Sequence, residues 1–187
     1  MAKIFSFETK ELITIGLVGA LMFVLCFIFG SILNIATGNP GASAFITQII
    51  QAILITILVV IFRKPGVATY MWLIYGILAI PTTLWGGLPG IYKVIMALVT
   101  GISFDTVVYL FKYKKWSFYL GGMVTYIIVI PLMIWFYYLL NVPGKEVALS
   151  LLPIMLVICV IEYVIGTFIG FKIYKKIENK QVIQNLK

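Results

Sequence analysis

Histidine is absent from this 187-residue chain. Its absence removes the commonest transition-metal ligand and the usual general base together. Ser–His catalysis and the H-E-x-x-H zinc helix go with it. Charge is scarce too, at 11% of residues, against roughly 25% in an ordinary soluble domain. Apolar residues reach 63% and the mean hydropathy is +1.13. That leaves too little polar surface to cover a water-soluble globule, so burial in a bilayer is the default reading. The two cysteines, Cys26 and Cys159, lie inside apolar runs. They read as small buried hydrophobes, not as a disulfide or a redox pair. No G-x-x-x-x-G-K-[ST] phosphate loop occurs, so ATP hydrolysis by that route is excluded. Asp105 is the only aspartate, which excludes an intramembrane aspartyl protease, and Gly101-Ile-Ser-Phe-Asp105 lacks a glycine immediately before it. No catalytic residue, cofactor or metal is expected.

What the chain does have is long apolar runs. Six stretches are predicted to span, at about residues 12–33, 43–62, 67–84, 91–111, 118–140 and 147–171. Turn chemistry separates them: Asn39-Pro40-Gly41, Lys64-Pro65-Gly66, Gly86-Gly87-Leu88-Pro89-Gly90 and Val142-Pro143-Gly144. The fold class expected is therefore an all-α integral membrane protein, a compact six-helix bundle forming one domain over residues 1–187. The first run is too long for a signal-peptide core and is followed by Asn34, not by a small-residue cleavage site, so it is expected to be retained.

Orientation follows from the basic residues. Lys3, Lys10, Arg63, Lys64, Lys112, Lys114, Lys115, Lys172, Lys175, Lys176, Lys180 and Lys187 fall on one side, and only Lys93 and Lys145 on the other. The positive-inside rule then predicts that both termini are cytoplasmic. The net charge of +8 reads as topogenic and headgroup-facing charge, not as a nucleic-acid surface. Trp116 beside the basic side, and Trp85 and Trp135 toward the other, suit interfacial belts.

Small residues recur at helical spacing. Gly16 and Ala20, with Gly19 beside them, form a small face on the first helix; Gly166 and Gly170 do so on the last. Such faces let backbones approach where lipid supplies no hydrophobic drive. The last pair reads as internal packing and the first as a partner-docking face.

Polar groups inside spans are costly and therefore informative. Gln48 and Gln51 share one helical face. Lys93 lies one turn into the fourth run beside Tyr92, and Trp135, Tyr138 and Asn141 line the outer end of the fifth. With Asn34, Asn39 and Trp85 they are candidates for an outward-opening pocket for a flat heteroaromatic ligand. Interfacial anchoring is the competing reading for Trp135 and Lys93. Asp105 and Glu162 lie deeper, about 21 and 22 Å along their helices at 1.5 Å per residue. They are candidates for a shared proton, for pairing with Arg63 or a lysine, or for a bound cation.

A small six-span chain with no ATPase motif, a small-residue face on its first helix and an outward polar pocket resembles the substrate-binding S components of energy-coupling-factor (ECF) transporters. Gly16 and Ala20 stand where that family carries its Ala-xxx-Ala docking motif. Arg63-Lys64-Pro65-Gly66, Gly87-Leu88-Pro89-Gly90 and Gly101-Ile-Ser-Phe-Asp105 are most similar to the YkoE-type branch, assigned to thiamine or its hydroxymethylpyrimidine precursor. Asp105 stands where that branch tends to have glutamate. The resemblance implies a bacterial cell-membrane receptor that captures a small vitamin from outside. It would deliver the vitamin through a transmembrane T component driven by two cytoplasmic ATPase subunits. A self-sufficient secondary transporter or channel is the alternative. Such folds usually show internal repeats and paired broken helices, whereas the two halves here share no repeat and Pro131 is the one candidate break.

Overall fold

The computed structural model describes residues 7–37, 44–82, 89–142 and 145–184. All regular structure among them is helical: α1 (Thr9–Thr37), α2 (Ala44–Phe62), α3 (Val67–Ala79), α4 (Tyr92–Leu110), α5 (Lys115–Leu139), α6 (Lys145–Ser150), α7 (Leu152–Ile177) and α8 (Gln181–Gln184). Four of these, α1, α4, α5 and α7, are long and apolar enough to cross a membrane.

The long helices close into a ring. α1 packs on α2, α2 on α7, α7 on α5, α5 on α4, α4 on α3, and α3 back on α1. Side chains at the centre include Met22, Cys26, Ile55, Met71, Phe104 and Phe118. The outward faces carry Leu17, Ile102, Ile127, Val157 and Ile161 exposed. Apolar surface inside and out is the pattern of a lipid-embedded bundle.

Close approach needs small residues, and the tightest seams have them. A Cβ on Gly166 would meet Ala52 Cβ at 2.6 Å and the Ile49 carbonyl at 2.7 Å; one on Gly170 would meet the Ile53 carbonyl at 3.0 Å. The predicted internal packing of this pair is what the α2–α7 seam uses.

Two predicted spans differ from the observed helices. The third was expected to run to Leu84, but α3 ends at Ala79, with Ile80 still in helical backbone at φ −47° and ψ −50° and Pro81 beyond it having no N–H to carry the ladder on. Its 13 residues reach only about 20 Å, less than a hydrocarbon core of about 30 Å. The sixth was expected as one helix over 147–171, but it is split into α6 and α7 at Leu151, with Pro153 in the first turn of α7. Proline is tolerated there because that turn's N–H has no intrahelical partner. Conversely, Pro131 lies inside α5 without ending it. The turns at 39–41, 86–88 and 143–144 lie outside the described residues, as does Trp85.

Candidate functional site

Two buried polar systems occupy the bundle, one clamping α3 and the other at the ring's centre. The clamp is built by α4, which runs antiparallel to α3. Asp105 accepts hydrogen bonds from the Ala68 and Thr69 amides, at 3.2 and 2.8 Å, and from the Thr69 hydroxyl at 2.7 Å. Those amides are orphan donors of the first turn of α3. The N-cap residue is Gly66, at φ 94°, which has no side chain to cap them. Asp105 therefore does from a neighbouring helix what an N-cap side chain does locally. It can reach because Gly101, one turn earlier, lets the backbones touch: a Cβ there would lie 2.4 Å from Thr69 Cα.

Lys93 works at the other end of α3. Its ammonium donates to the carbonyls of Ala79 and Thr82, at 3.0 and 2.5 Å, and the side chain is fully buried. Asp105 and Lys93 are 12 positions apart, about 18 Å of helix, close to the length of α3 itself. A carboxylate thus faces the positive end of the α3 dipole and an ammonium its negative end. Neither Asp105 nor Glu162 pairs with Arg63 or with a lysine among the described residues. Nor do the two carboxylates share a proton, another of the three arrangements considered for them, since Asp105 is held by Ala68 and Thr69.

The second system lies among α1, α2, α3, α5 and α7. The Gln51 amide donates to the Tyr75 hydroxyl at 3.3 Å and to Cys26 Sγ at 3.7 Å, while Gln51 Oε1 is buried without a partner. The Tyr126 hydroxyl donates to Gln48 Oε1. Cys159 and Glu162 are within electrostatic reach of Tyr126, and the Tyr126 and Tyr163 rings meet edge-on at 5.6 Å. Glu162 is 8% exposed, and its Oε2 has no hydrogen-bond partner; nor has the Thr125 hydroxyl. The Tyr163 hydroxyl lies near Thr167 without completing a hydrogen bond. Burying such groups unpaired is costly. A cluster of them beside tyrosine planes is what a polar aromatic ligand would satisfy.

The predicted site residues are thus sorted by the fold. Gln48 and Gln51 join the central cluster. Tyr92 is buried against Phe136, with ring centroids 5.3 Å apart. Trp135 is 56% exposed and packs on Phe136; Tyr138 is also exposed, beneath the Lys145 ammonium at 5.4 Å. Asn141, at φ 52°, accepts a hydrogen bond from Lys145 at 2.5 Å. These last three are placed on the bundle's outside, with the interfacial character weighed for Trp135. Asn34 lies on the last turns of α1.

On α1, Gly19 is covered from within, since a Cβ there would meet the Met71 carbonyl at 3.0 Å and Ile74 Cβ at 3.2 Å. Gly16 has room, its nearest neighbour being Ile74 Cδ1 at 3.8 Å. It and the half-buried Ala20 border the exposed Ile13, Leu17, Leu21 and Val24. Sequence reading passed over Tyr75, Tyr126 and Tyr163. Nothing in an apolar run separates a tyrosine facing a buried amide from one at the lipid interface.

Comparison with known proteins follows the same lines. The sequence profile of the Trep_Strep family, described as hypothetical bacterial integral membrane protein, matches residues 9–150. Comparison with curated protein sequences finds no match. A solved structure described as the crystal structure of an S-component of an ECF transporter superposes with a TM-score of 0.71 at 22% identity. The superposition covers 96% of this chain and 90% of that one, so the two share a fold. With the family profile spanning most of its length, the chain belongs to the Trep_Strep family of bacterial integral membrane proteins.

Proposed function

We propose that this chain is the substrate-binding S component of an ECF-type importer. The observation that carries the reading is the central polar cluster, with Gln51 Oε1 and Glu162 Oε2 unpartnered inside a fold shared with such a component. In this reading the chain is one domain crossing the bacterial cell membrane six times, with α2 and the short α3 included and both termini cytoplasmic. It is not an enzyme. It binds its ligand from outside and passes it through a T component driven by two ATPase subunits.

The cargo favoured is thiamine or a hydroxymethylpyrimidine-like precursor. Glu162 offers a carboxylate to a cationic ring, Tyr126 and Tyr163 offer π faces, Gln48 offers its amide N–H to a ring nitrogen, and Gln51 Oε1 can accept from an exocyclic amino group. Lys93 does not argue for an anionic ligand, because carbonyls at the end of α3 already take its ammonium. Trp135, Tyr138 and Asn141 belong, in this reading, to the outer rim and not to the ligand's inner contacts.

Tryptophan quenching on the purified protein tests the cargo. Thiamine or hydroxymethylpyrimidine is expected to bind, and Glu162→Gln to weaken a cationic ligand roughly tenfold or more, the loss of one buried charge-assisted contact. Unchanged affinity would remove Glu162 from the site. Vesicles holding this chain alone that concentrated the vitamin against a gradient would overturn the importer-subunit reading.

Docking on the T component is assigned to Gly16 and Ala20 with the exposed Leu17 and Leu21 beside them. Gly16→Leu is expected to abolish uptake while ligand affinity stays within about twofold. Gly19→Leu is expected to lower stability instead, because its side chain would enter the α1–α3 seam. Lost ligand binding in the Gly16 variant would contradict the docking role.

A further inference from the structure

At the basic end of the bundle a cavity of about 420 Å³ opens between the ends of α2 and α7 and the start of α5. Arg63, Lys115, Lys172 and Lys175 line it. Among the described residues, none of these four forms an ion pair with a carboxylate, although Glu178 also lines the cavity. Two of the ammonium groups are seated over aromatic rings: Lys115 at 5.4 Å from the centroid of Phe171, and Lys172 at 4.6 Å from that of Phe168. A ring holds a cation by its face and leaves ammonium N–H groups available to an anion. Arg63 and Tyr113 reach the cavity from tight connections with positive φ, 47° and 55°. The Tyr113 hydroxyl is buried with no hydrogen-bond partner.

The walls between these cations are apolar. Val60, Phe118 and Phe168 lie beside them, and Phe168 is 48% exposed on the outward face of α7. A free inorganic anion has no use for such a wall. A phosphate carried on acyl chains does, because its chains can lie along Phe168 while the headgroup meets the basic residues. Basic pockets between helices at a membrane surface bind anionic headgroups on these terms, with Arg63 able to grip two phosphate oxygens at once.

We propose that this cavity is a binding site for the phosphate of an anionic phospholipid from the leaflet at the basic end. The lipid would tie α2, α5 and α7 together there. The site stands apart from the central cluster and does not depend on which vitamin, if any, the protein carries.

Native mass spectrometry of the full-length protein, incubated in detergent with phosphatidylglycerol or with phosphatidylcholine, tests it. Wild type is expected to retain phosphatidylglycerol selectively. The triple variant R63Q/K172Q/K175Q is expected to lose that retention by roughly tenfold or more. K112Q/K114Q/K176Q removes the same formal charge from outside the cavity and is expected to keep it. Equal loss in both variants means diffuse charge and overturns the site, as does full retention in the first. Circular dichroism confirms that both variants are folded; should the first not fold, Lys172→Gln alone is read in its place, with weaker retention expected and unchanged retention overturning the proposal. A saturable thermal shift with inorganic phosphate alone, lost in the cavity variant, would identify a soluble anion as the ligand and overturn the assignment to lipid.

Discussion

Asp105→Ala is expected to lower the melting temperature of the detergent-solubilised protein by roughly 6–12 °C. Three hydrogen bonds converge on the Asp105 carboxylate, two from first-turn amides of α3 and one from the Thr69 hydroxyl. Hydrogen bonds to a charged group contribute about 1.5–3 kcal/mol each, and donors left unpaired cost more. Water reaching the opened site recovers part of this, so about 3 kcal/mol is the working figure. In a chain of this size that corresponds to the stated range. Asp105→Asn keeps one acceptor oxygen but removes the charge facing the helix dipole, and is expected to lose about half as much. Ligand affinity in the surviving folded fraction is expected to be unchanged, because Asp105 touches α3 and not the central cluster. Thermal unfolding followed by tryptophan fluorescence measures the first effect, and quenching by the ligand the second. A variant that melts like wild type but binds ligand poorly would move Asp105 from structure into the site.

This pairing also explains what could and could not be read in the sequence. Hydropathy marked all the long helices, because the bilayer demands about 20 apolar residues per crossing and α1, α4, α5 and α7 supply them. The small-residue pair Gly166 and Gly170 was legible for the same reason: close helix contact in lipid has a short local signature. Lys93 and Asp105 were marked as costly intramembrane charges, but their purpose was not visible. It depends on α3 being short and antiparallel to α4, a property of the fold and not of either segment. A lysine near the outer end of one helix looks identical whether it caps its neighbour or grips an anion. The aromatic rim residues show the converse. Trp135, Tyr138 and Asn141 sit at the end where the sequence led one to expect a pocket, yet helical phase in a segment apolar on every side carries no information about which face turns inward. The tyrosines that do reach the centre come from α3, α5 and α7. Only their meeting with Gln48 and Gln51 distinguishes them.

The seam between α5 and α7 carries the largest steric consequence. A Cβ added to Gly122 would lie 1.9 Å from Tyr163 Cε1 and 2.0 Å from Cδ1. Tyr163 cannot retreat freely, since its ring meets Phe104 at 6.2 Å and Tyr126 at 5.6 Å. Gly122→Ala must therefore either tilt the tyrosine or spread the two helices. Overpacking of this kind costs about 1–3 kcal/mol, and Gly122→Val is expected to exceed that range. A loss of function comparable in free energy should accompany the loss of stability. Moving Tyr163 shifts Tyr126, and with it the hydroxyl that holds Gln48, so ligand affinity is expected to fall by roughly tenfold, about 1.4 kcal/mol. A double-mutant cycle separates this from general damage. Tyr163→Ala opens the space that the new methyl needs, so Gly122→Ala should cost much less stability in that background, with a coupling of about 1 kcal/mol or more. Additive losses would mean that the clash is relieved elsewhere. In that event Gly122 serves the backbone of α5 and not the tyrosine beside the polar cluster.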